Sequence, residues 1–328
     1  MKIPTIDLNI EESSASASKL REALETTGFF YLKQNLLARE ELEAVLKGAD
    51  AFFSLPIEVK RPLFNSSLNR GYTSMGEETL DPETQKTGDT KEGYYIGRHV
   101  TELDKMNVDK FTGANVYPPE DETGLDGWRK TMDGYVVKAR RVCEVLLKLI
   151  ACSLDLSEDY FDSFFTEPLV MLRLLRYSPQ PSAPNDGVLG CGKHSDYGCL
   201  TLLLTNEVPG LQILHDGEWV DVAPIAYQGF IVNIGDMLER WSNGRFKSTV
   251  HRVVTVQHAP GETPRARLSA PFFFEPNYDT VVECLPNLGS PKWPPCTSGE
   301  YLKSKVRRRP VLTLTPNPNP NPNPNPHL

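Results

Sequence analysis

Short strand-like runs separated by turn residues fill the region from 169 to 274, and this spacing limits the possible folds more than any other feature. Each run is rich in Leu, Val, Ile or Phe, and polar residues, Gly or Pro separate it from the next. Such spacing is typical of an antiparallel sandwich or jelly roll. The runs are Leu169–Tyr177, Leu200–Leu204, Leu211–Leu214, Trp219–Val222, Phe230–Ile234, Ser248–Val256 and Arg267–Phe274.

The chain before this β region has a different, mainly helical pattern. Apolar residues recur at helical spacing in a helix that Ser18 can cap and Gly28 can end, and again in a second helix that ends before Pro56. A long helix is predicted at about 124–153, and residues 65–118 are expected to form loops and short strands of a substrate rim. The sequence therefore predicts an α+β chain with N-terminal helices packed on a jelly-roll core.

Three regions follow from these patterns. Residues 1–120 are expected to form the N-terminal region, and residues 121–310 the long helix with the catalytic β core. In that second region a last helix is expected to begin near Ser298. Residues 311–328 include an alternation of Asn and Pro. Because proline has no backbone N–H, this alternation favours an extended, disordered tail without a role in the chemistry.

Charge and composition exclude several classes of partner. Of the 328 residues, 35 are Lys or Arg and 43 are Asp or Glu, which gives a formal net charge of −8. This balance disfavours nucleic-acid or anionic-membrane binding, since both need positive surface. No apolar run approaches the ~20 residues of a membrane helix. The 6 cysteines are sparse and form no CxxC pair, so we expect reduced thiols and a cytoplasmic protein.

A His-x-Asp motif and a distant histidine are the main candidates for chemistry. His194 and Asp196 are two residues apart, and on a strand this spacing places both side chains on one face. His251 lies in another strand-like run. Two histidines and one carboxylate form the facial triad of non-haem Fe(II) oxygenases, which leaves three metal positions open. The pattern therefore predicts an iron site with room for a chelating cosubstrate and O2.

Arg267 and Ser269 form a second motif on the strand-like run that follows. Their spacing also places both side chains on one face. A fixed guanidinium with a neighbouring hydroxyl can hold a carboxylate. A dicarboxylic keto acid could then chelate the metal at one end and pair with Arg267 at the other.

Other chemistries fit these residues less well. Ser195 lacks the GxSxG motif of hydrolases, and the glycines before it fail the dinucleotide-binding fingerprint. Cys191, His194 and Cys199 could contribute to a structural zinc site, but no second close pair completes four ligands.

Longer motifs resemble one known family. The chain is similar to the Fe(II)/2-oxoglutarate-dependent dioxygenases of the isopenicillin N synthase-like type, and the resemblance covers nearly everything except the Asn-Pro tail. The most specific motif is the run from Asn233 to Val253. The other similar segments are Ile3–Leu8, Gly28–Phe30, Arg267–Phe274 and Glu300–Leu302.

This resemblance implies a fold and a site. The fold is a double-stranded β-helix, the iron ligands are His194, Asp196 and His251, and the groups that bind 2-oxoglutarate are Arg267, Ser269 and Tyr177. Arg173 is a candidate for the substrate pocket, because strand alternation places it on the same face as Tyr177. By analogy with the family, Tyr197, Glu77 and Glu78 are further candidates. A cation at Arg173 would suit a substrate that carries its own carboxylate.

The implied activity is the oxidation, in most relatives the hydroxylation, of a small metabolite by a monomeric enzyme. It would use Fe(II), 2-oxoglutarate and O2, with ascorbate as a candidate reductant, and would release succinate and CO2. Two alternatives stay open. One is an oxidase, desaturase or cyclase of the same family, and the other is a metal-binding β-barrel that acts as a carrier or sensor without catalysis.

Overall fold

A computed structural model describes residues 2–8, 13–65, 67–100, 102, 106–256, 261 and 263–307. The predicted tail, residues 311–328, lies outside the described residues. No helix among those ranges is long and apolar enough to cross a membrane.

Fifteen strands form the β structure of the described chain. They are β1 (Thr5–Asp7), β2 (Phe29–Lys33), β3 (Phe64–Asn65), β4 (Arg70–Thr73), β5 (Lys91–Gly97), β6 (Leu169–Tyr177), β7 (Cys191–His194), β8 (Leu200–Thr205), β9 (Leu211–His215), β10 (Glu218–Asp221), β11 (Phe230–Ile234), β12 (His251–Val253), β13 (Arg267–Glu275), β14 (Val281–Val282) and β15 (Cys296–Thr297). Seven α-helices accompany them in the described residues. They are α1 (Ser13–Thr26), α2 (Arg39–Phe53), α3 (Ile57–Lys60), α4 (Glu120–Thr123), α5 (Trp128–Ser153), α6 (Asp236–Trp241) and α7 (Ser298–Arg307).

The strands form two main sheets whose order defines a jelly roll. The larger sheet has the order β1-β2-β11-β8-β13-β6-β5-β4-β3, and the smaller has the order β10-β9-β12-β7. The pairing in both sheets is antiparallel except for β1 with β2. Two of the N-terminal strands join this arrangement directly, because β2 pairs with β11 and β5 pairs with β6.

Helices α1, α2 and α5 pack together, and α2 and α5 also contact strands of the larger sheet. The apolar stripe of α2 is fully buried, and its Phe52 ring lies 4.5 Å from Tyr94 of β5 and 5.8 Å from Trp128 of α5. Because helical spacing puts these apolar residues on one face, the helices cover one side of the sheet and leave its other side for the site. The predicted α+β jelly roll with packed N-terminal helices is confirmed.

Two helix boundaries differ from the prediction. Helix α1 begins at Ser13, so Ser18 lies inside the helix and is not its N-cap. The long helix begins at Trp128 and not near residue 124. Gly124 and Gly127 both have a positive φ, +69° and +73°, and this left-handed backbone separates the short α4 from α5.

One predicted strand is much shorter than expected. The run Ser248–Val256 forms a strand only at His251–Val253. Its first residues bond elsewhere, since the Ser248 hydroxyl donates to Asp236 Oδ1 at 2.8 Å and the Thr249 hydroxyl donates to the Thr27 carbonyl at 2.7 Å. These side-chain bonds hold the start of the run against α6 and the end of α1 and away from the ladder.

Candidate active site

Two neighbouring strands of the smaller sheet bring the three predicted metal ligands together. His194 ends β7 and His251 begins β12, and the two residues are direct partners across the antiparallel pair. Asp196 lies two residues beyond the end of β7, so it belongs to the following loop and not to the strand. One ligand atom from each side chain lies within 4.8 Å of the others.

Both histidines are oriented by their own backbone. His194 Nδ1 lies 2.8 Å from the Gly192 carbonyl, and His251 Nδ1 lies 3.1 Å from the Thr249 carbonyl. Because a carbonyl oxygen only accepts, Nδ1 carries the hydrogen in each neutral ring and Nε2 carries the lone pair. Each Nε2 lies 3.8 Å from Asp196 Oδ1. The two lone pairs and the carboxylate oxygen therefore converge on one point.

The Asp196 carboxylate is fixed through its other oxygen. Oδ2 accepts hydrogen bonds from the Thr201 hydroxyl and from Asn233 Nδ2, each at 2.6 Å. Burial raises the pKa of Asp196, but His251, His194 and these two hydrogen bonds outweigh burial and hold the pKa below its ordinary value. Because the hydrogen bonds fix Oδ2 of this charged carboxylate, Oδ1 is oriented toward a metal.

The donor set fits Fe(II). Two imidazole nitrogens and one carboxylate oxygen are the ligands of non-haem iron, and a set of three protein ligands leaves coordination positions for other molecules.

Arg267 and Ser269 lie at the start of β13, and their side chains face the same cavity as the triad. Arg267 is 3% exposed, and its guanidinium lies over the Tyr177 ring at 4.8 Å. Tyr177 is the cross-strand partner of Arg267. In the described chain Arg267 Nη1 has no hydrogen-bond partner and the arginine forms no ion pair. A buried cation in this state is costly, so the position fits an incoming carboxylate.

The Ser269 hydroxyl is a second unused polar group beside Arg267. It is buried, and it lies close enough to Tyr177 to lower the pKa of that phenol slightly, but it forms no hydrogen bond of normal geometry. Burial is the larger effect and raises the pKa of Tyr177. The phenol therefore stays protonated, and both hydroxyls can donate to a carboxylate held by Arg267.

Two cavities meet at His194 and Asp196, which are two of the three predicted metal ligands. A cavity of about 60 Å³, which we call the cosubstrate cavity, is lined by all three ligands and by Arg267, Ser269 and Tyr177. A second cavity of about 180 Å³, which we call the substrate cavity, adjoins the cosubstrate cavity. His194, Asp196, Arg173 and Phe273 line both cavities. A molecule in the larger cavity therefore lies next to the metal position.

The structure separates the four predicted substrate-pocket residues. Arg173 and Tyr197 line the substrate cavity. Glu78 reaches the cavity wall through an ion pair with Arg173 at 2.6 Å. Glu77 is exposed, and its Oε2 accepts a hydrogen bond from the Ser74 backbone N–H at 2.9 Å, so it stabilises a turn and lies away from both cavities. Its predicted place in the pocket is not supported by this geometry.

Sequence reasoning missed several residues of the site. Asn233 and Thr201 hold Asp196, and each is a polar residue in the interior of a mainly apolar strand, which is a signal that the sequence does carry. Lys91 of β5 and Cys191 of β7 line the cosubstrate cavity. Burial raises the pKa of the Cys191 thiol to about 12, although the nearby Lys91 ammonium opposes the increase.

Glu275 at the end of β13 is a further missed residue. It lines the substrate cavity, and its Oε2 accepts the Cys199 N–H at 2.5 Å. A Cβ at Gly198 would lie within 1.8 Å of all three carboxyl atoms, so only glycine fits there. Burial raises the pKa of Glu275 to about 8, despite the Cys199 bond, and the charge of Asp196 adds to the increase.

We expect the substitution Glu275→Gln to change how stability depends on pH. The folded wild type keeps the Glu275 proton up to about pH 8, whereas the unfolded chain loses it near pH 4.5. The wild type therefore loses stability as pH rises between these values, and glutamine does not. Thermal melts should show the variant above wild type at about pH 8.5, by up to a few kcal/mol, and the gap should shrink toward about pH 5. The exposed Glu283→Gln is the control, and an equal gap at both pH values would contradict the raised pKa.

The jelly roll, the two-histidine, one-carboxylate cluster and the buried arginine define a non-haem iron oxygenase that uses a keto acid. Comparison with protein-family models supports the same class of protein. Residues 168–276 match the model of the 2OG-Fe(II) oxygenase superfamily, and residues 3–120 match the model of the N-terminal region of the non-haem dioxygenases in morphine synthesis.

Known proteins resemble the chain over most of its length. A 2-oxoglutarate-Fe(II) type oxidoreductase, hxnY of Emericella nidulans, is 33% identical over 88% of this chain and 83% of its own. Azadirone synthase LFS of Melia azedarach is 34% identical over 92% of this chain and 91% of its own. The crystal structure of a full-length Neurospora crassa protein in complex with alpha-KG and thymine matches 93% of this chain and 96% of its own, with 30% identity and a TM-score of 0.79. The chain belongs to the 2OG-Fe(II) oxygenase superfamily, and it is an oxidoreductase that uses Fe(II), 2-oxoglutarate and O2.

Proposed function

We propose that this enzyme hydroxylates a small metabolite, with His194, Asp196 and His251 as its iron ligands. Arg267, Ser269 and Tyr177 then bind the distal carboxylate of 2-oxoglutarate. The observation that carries the proposal is the buried Arg267 guanidinium, which has no ion pair in the described chain and lies in one cavity with the three ligands. The thymine bound to the Neurospora crassa protein is a small molecule of the expected size class.

The reaction balances as substrate C–H plus O2 plus 2-oxoglutarate giving substrate C–OH, succinate and CO2. Bound iron supplies the O2 activation. Arg267 would hold one end of the keto acid through a charge-assisted contact, and His194, Asp196 and His251 would hold the iron at the other end. Thr201 and Asn233 keep Asp196 in a single orientation. Phe273 and the apolar side chains that line both cavities would limit the water around the reacting carbon.

The enzyme is further proposed to act as a monomer in the cytoplasm. Every side chain assigned to the site comes from one chain, so no second subunit is needed to complete it. All six cysteines are free, which fits a reducing compartment.

A metabolite panel tests the function. The purified protein is given Fe(II), 2-oxoglutarate, ascorbate and one compound at a time, and succinate is measured together with the oxidised product. We expect at least one compound to form succinate and a product heavier by one oxygen in equal amounts. A product that has lost two hydrogens would instead assign desaturation or ring closure. Substrate oxidation that proceeds without 2-oxoglutarate would contradict the proposal.

A further inference from the structure

A group of buried charges lies between the two cavities, and the proposed reaction does not use it. We call it the Glu78 cluster; its members are Glu78, Asp89, Lys91, Tyr95 and Arg173. Glu78 Oε2 accepts from Arg173 Nη2 at 2.6 Å and lies 3.2 Å from Lys91 Nζ. The Tyr95 hydroxyl donates to Glu78 Oε1 and accepts from Arg173 Nη2. Lys91 also forms an ion pair with Asp89.

Within the described residues the cluster is electrically balanced. It contains two cations, Lys91 and Arg173, and two carboxylates, Glu78 and Asp89. The side chains of Lys91 and Asp89 are 3% and 0% exposed, and those of Arg173 and Glu78 are 11% and 19% exposed. Arg173 therefore differs from Arg267, which forms no ion pair within the described ranges. A buried cation that already has a carboxylate gains little from a second one.

The backbone holds Glu78 in this position. Its carbonyl accepts the Asp89 N–H at 2.7 Å, and the Asp89 carbonyl accepts the Gly76 N–H at 3.0 Å. Asp89 Oδ1 in turn accepts the Gly192 N–H of β7 at 2.9 Å. The segment that carries Glu78 is thus fastened to the strand that ends in His194. These hydrogen bonds fix the position of Glu78.

Arg173 is the charged member of the cluster that a substrate would meet. It lines both cavities, and its guanidinium stacks on the Tyr95 ring at 4.4 Å, as expected for direct partners across β5 and β6. Another buried arginine of the substrate cavity, Arg70, donates from Nη1 and Nη2 to the carbonyls of Leu68 and Phe111. Both of these nitrogens are committed to loop carbonyls, whereas the hydrogen bonds of Arg173 in the described chain all use Nη2, so Arg173 is the better candidate for a substrate contact.

We propose that Glu78 determines the substrate class, because its carboxylate occupies the anion site formed by Arg173 and Lys91. The group that a substrate presents to Arg173 is then uncharged, such as an amide, a ring carbonyl or a hydroxyl. A substrate carboxylate at this place would have to displace Glu78 or be buried beside a like charge. This inference rests on the proposed function and replaces the carboxylate-bearing substrate that Arg173 alone suggests.

The test removes the internal carboxylate and supplies an external one. Wild type and Glu78→Ala are loaded anaerobically with Fe(II) and 2-oxoglutarate, so that the cosubstrate cavity is filled and no turnover occurs. Melting temperatures are measured at increasing concentrations of propionate or of its uncharged analogue propionamide. We expect the variant to melt several degrees below wild type. Propionate should restore roughly half or more of this loss and bind about tenfold or more tightly than propionamide.

Glu77→Ala is the matched control, since its carboxylate is adjacent in sequence, exposed and bonded to a turn. It and the wild type should not respond to propionate. If Glu78→Ala is recovered unfolded, its refolding yield in propionate against propionamide gives the same comparison. An absent response, or an equal response to both compounds, would overturn the proposal.

The predicted preference for an uncharged substrate group is tested with pairs of compounds in the metabolite panel, each pair consisting of a carboxylic acid and its amide. Wild type is expected to oxidise the uncharged member of a pair, and Glu78→Ala to gain the carboxylate member. Faster oxidation of the carboxylate member by wild type would also overturn the inference. The melting experiment does not depend on turnover, so its failure leaves the proposed hydroxylase function intact, and failure of the panel leaves the anion-site result standing.

Discussion

Replacing His251 with alanine is expected to reduce substrate-dependent succinate formation by on the order of 10³-fold or more. Loss of residues that only orient metal ligands typically costs about 10–100-fold, and loss of a ligand itself costs more. The fold should remain, since the β core is built from apolar strands and does not rest on the metal. The measurement is succinate release together with bound iron, and circular dichroism checks the fold.

The control for this substitution is His215→Ala. His215 ends β9, the strand beside β12, and its ring lies 3.3 Å from the exposed Asp216 and outside both cavities. It should bind iron and turn over like wild type. Retention of full activity in His251→Ala would remove this residue from the ligand set.

The second large effect is expected at Arg267. Alanine there removes a buried, charge-assisted contact to the distal carboxylate of 2-oxoglutarate, which typically costs about 2–5 kcal/mol. This corresponds to roughly 30-fold or more in the concentration of 2-oxoglutarate required. Lysine should restore only part of the affinity, because it provides charge without the planar fork. Titration with 2-oxoglutarate, followed by initial rate and by melting temperature, measures the 2-oxoglutarate requirement of the alanine and lysine variants.

Arg265→Ala serves as the matched control for Arg267. It lies two residues earlier, is exposed and pairs with Glu207 at 3.0 Å, so its loss should leave the 2-oxoglutarate requirement unchanged. If Arg267→Ala instead weakens the prime substrate and spares 2-oxoglutarate, the arginine binds the substrate. The assignment of the cosubstrate cavity would then be wrong.

Local patterns in the sequence predict the strands that build the site. The runs Leu169–Tyr177 and Phe230–Ile234 have the predicted bounds, because β-branched and apolar residues between turn residues leave few alternatives. Successive side chains of a strand point to opposite faces of the sheet, which explains why Arg267 and Ser269 share a face. His194 and His251 are far apart in sequence, and only the pairing of β7 with β12 brings them together.

The Glu78 cluster could not be predicted as a unit. Lys91 and Tyr95 share one face of β5 by alternation, but Glu78 lies in a loop and Arg173 lies on a strand distant in sequence. Whether an arginine is paired depends on such long-range contacts, and periodicity carries no information about them. For this reason the charge of Arg173 could be predicted from the sequence, whereas its neutralisation could not.

The protonated thiol of Cys191 has a consequence for the lifetime of the enzyme. This side chain lies in the cavity where O2 would be activated, and the thiolate is the form of cysteine that reacts with oxidants and binds metals. Since burial raises the pKa of Cys191 to about 12, almost no thiolate is present at neutral pH. Because the thiol and not the thiolate predominates, oxidants react slowly with Cys191 at neutral pH, which favours a long working life of the site.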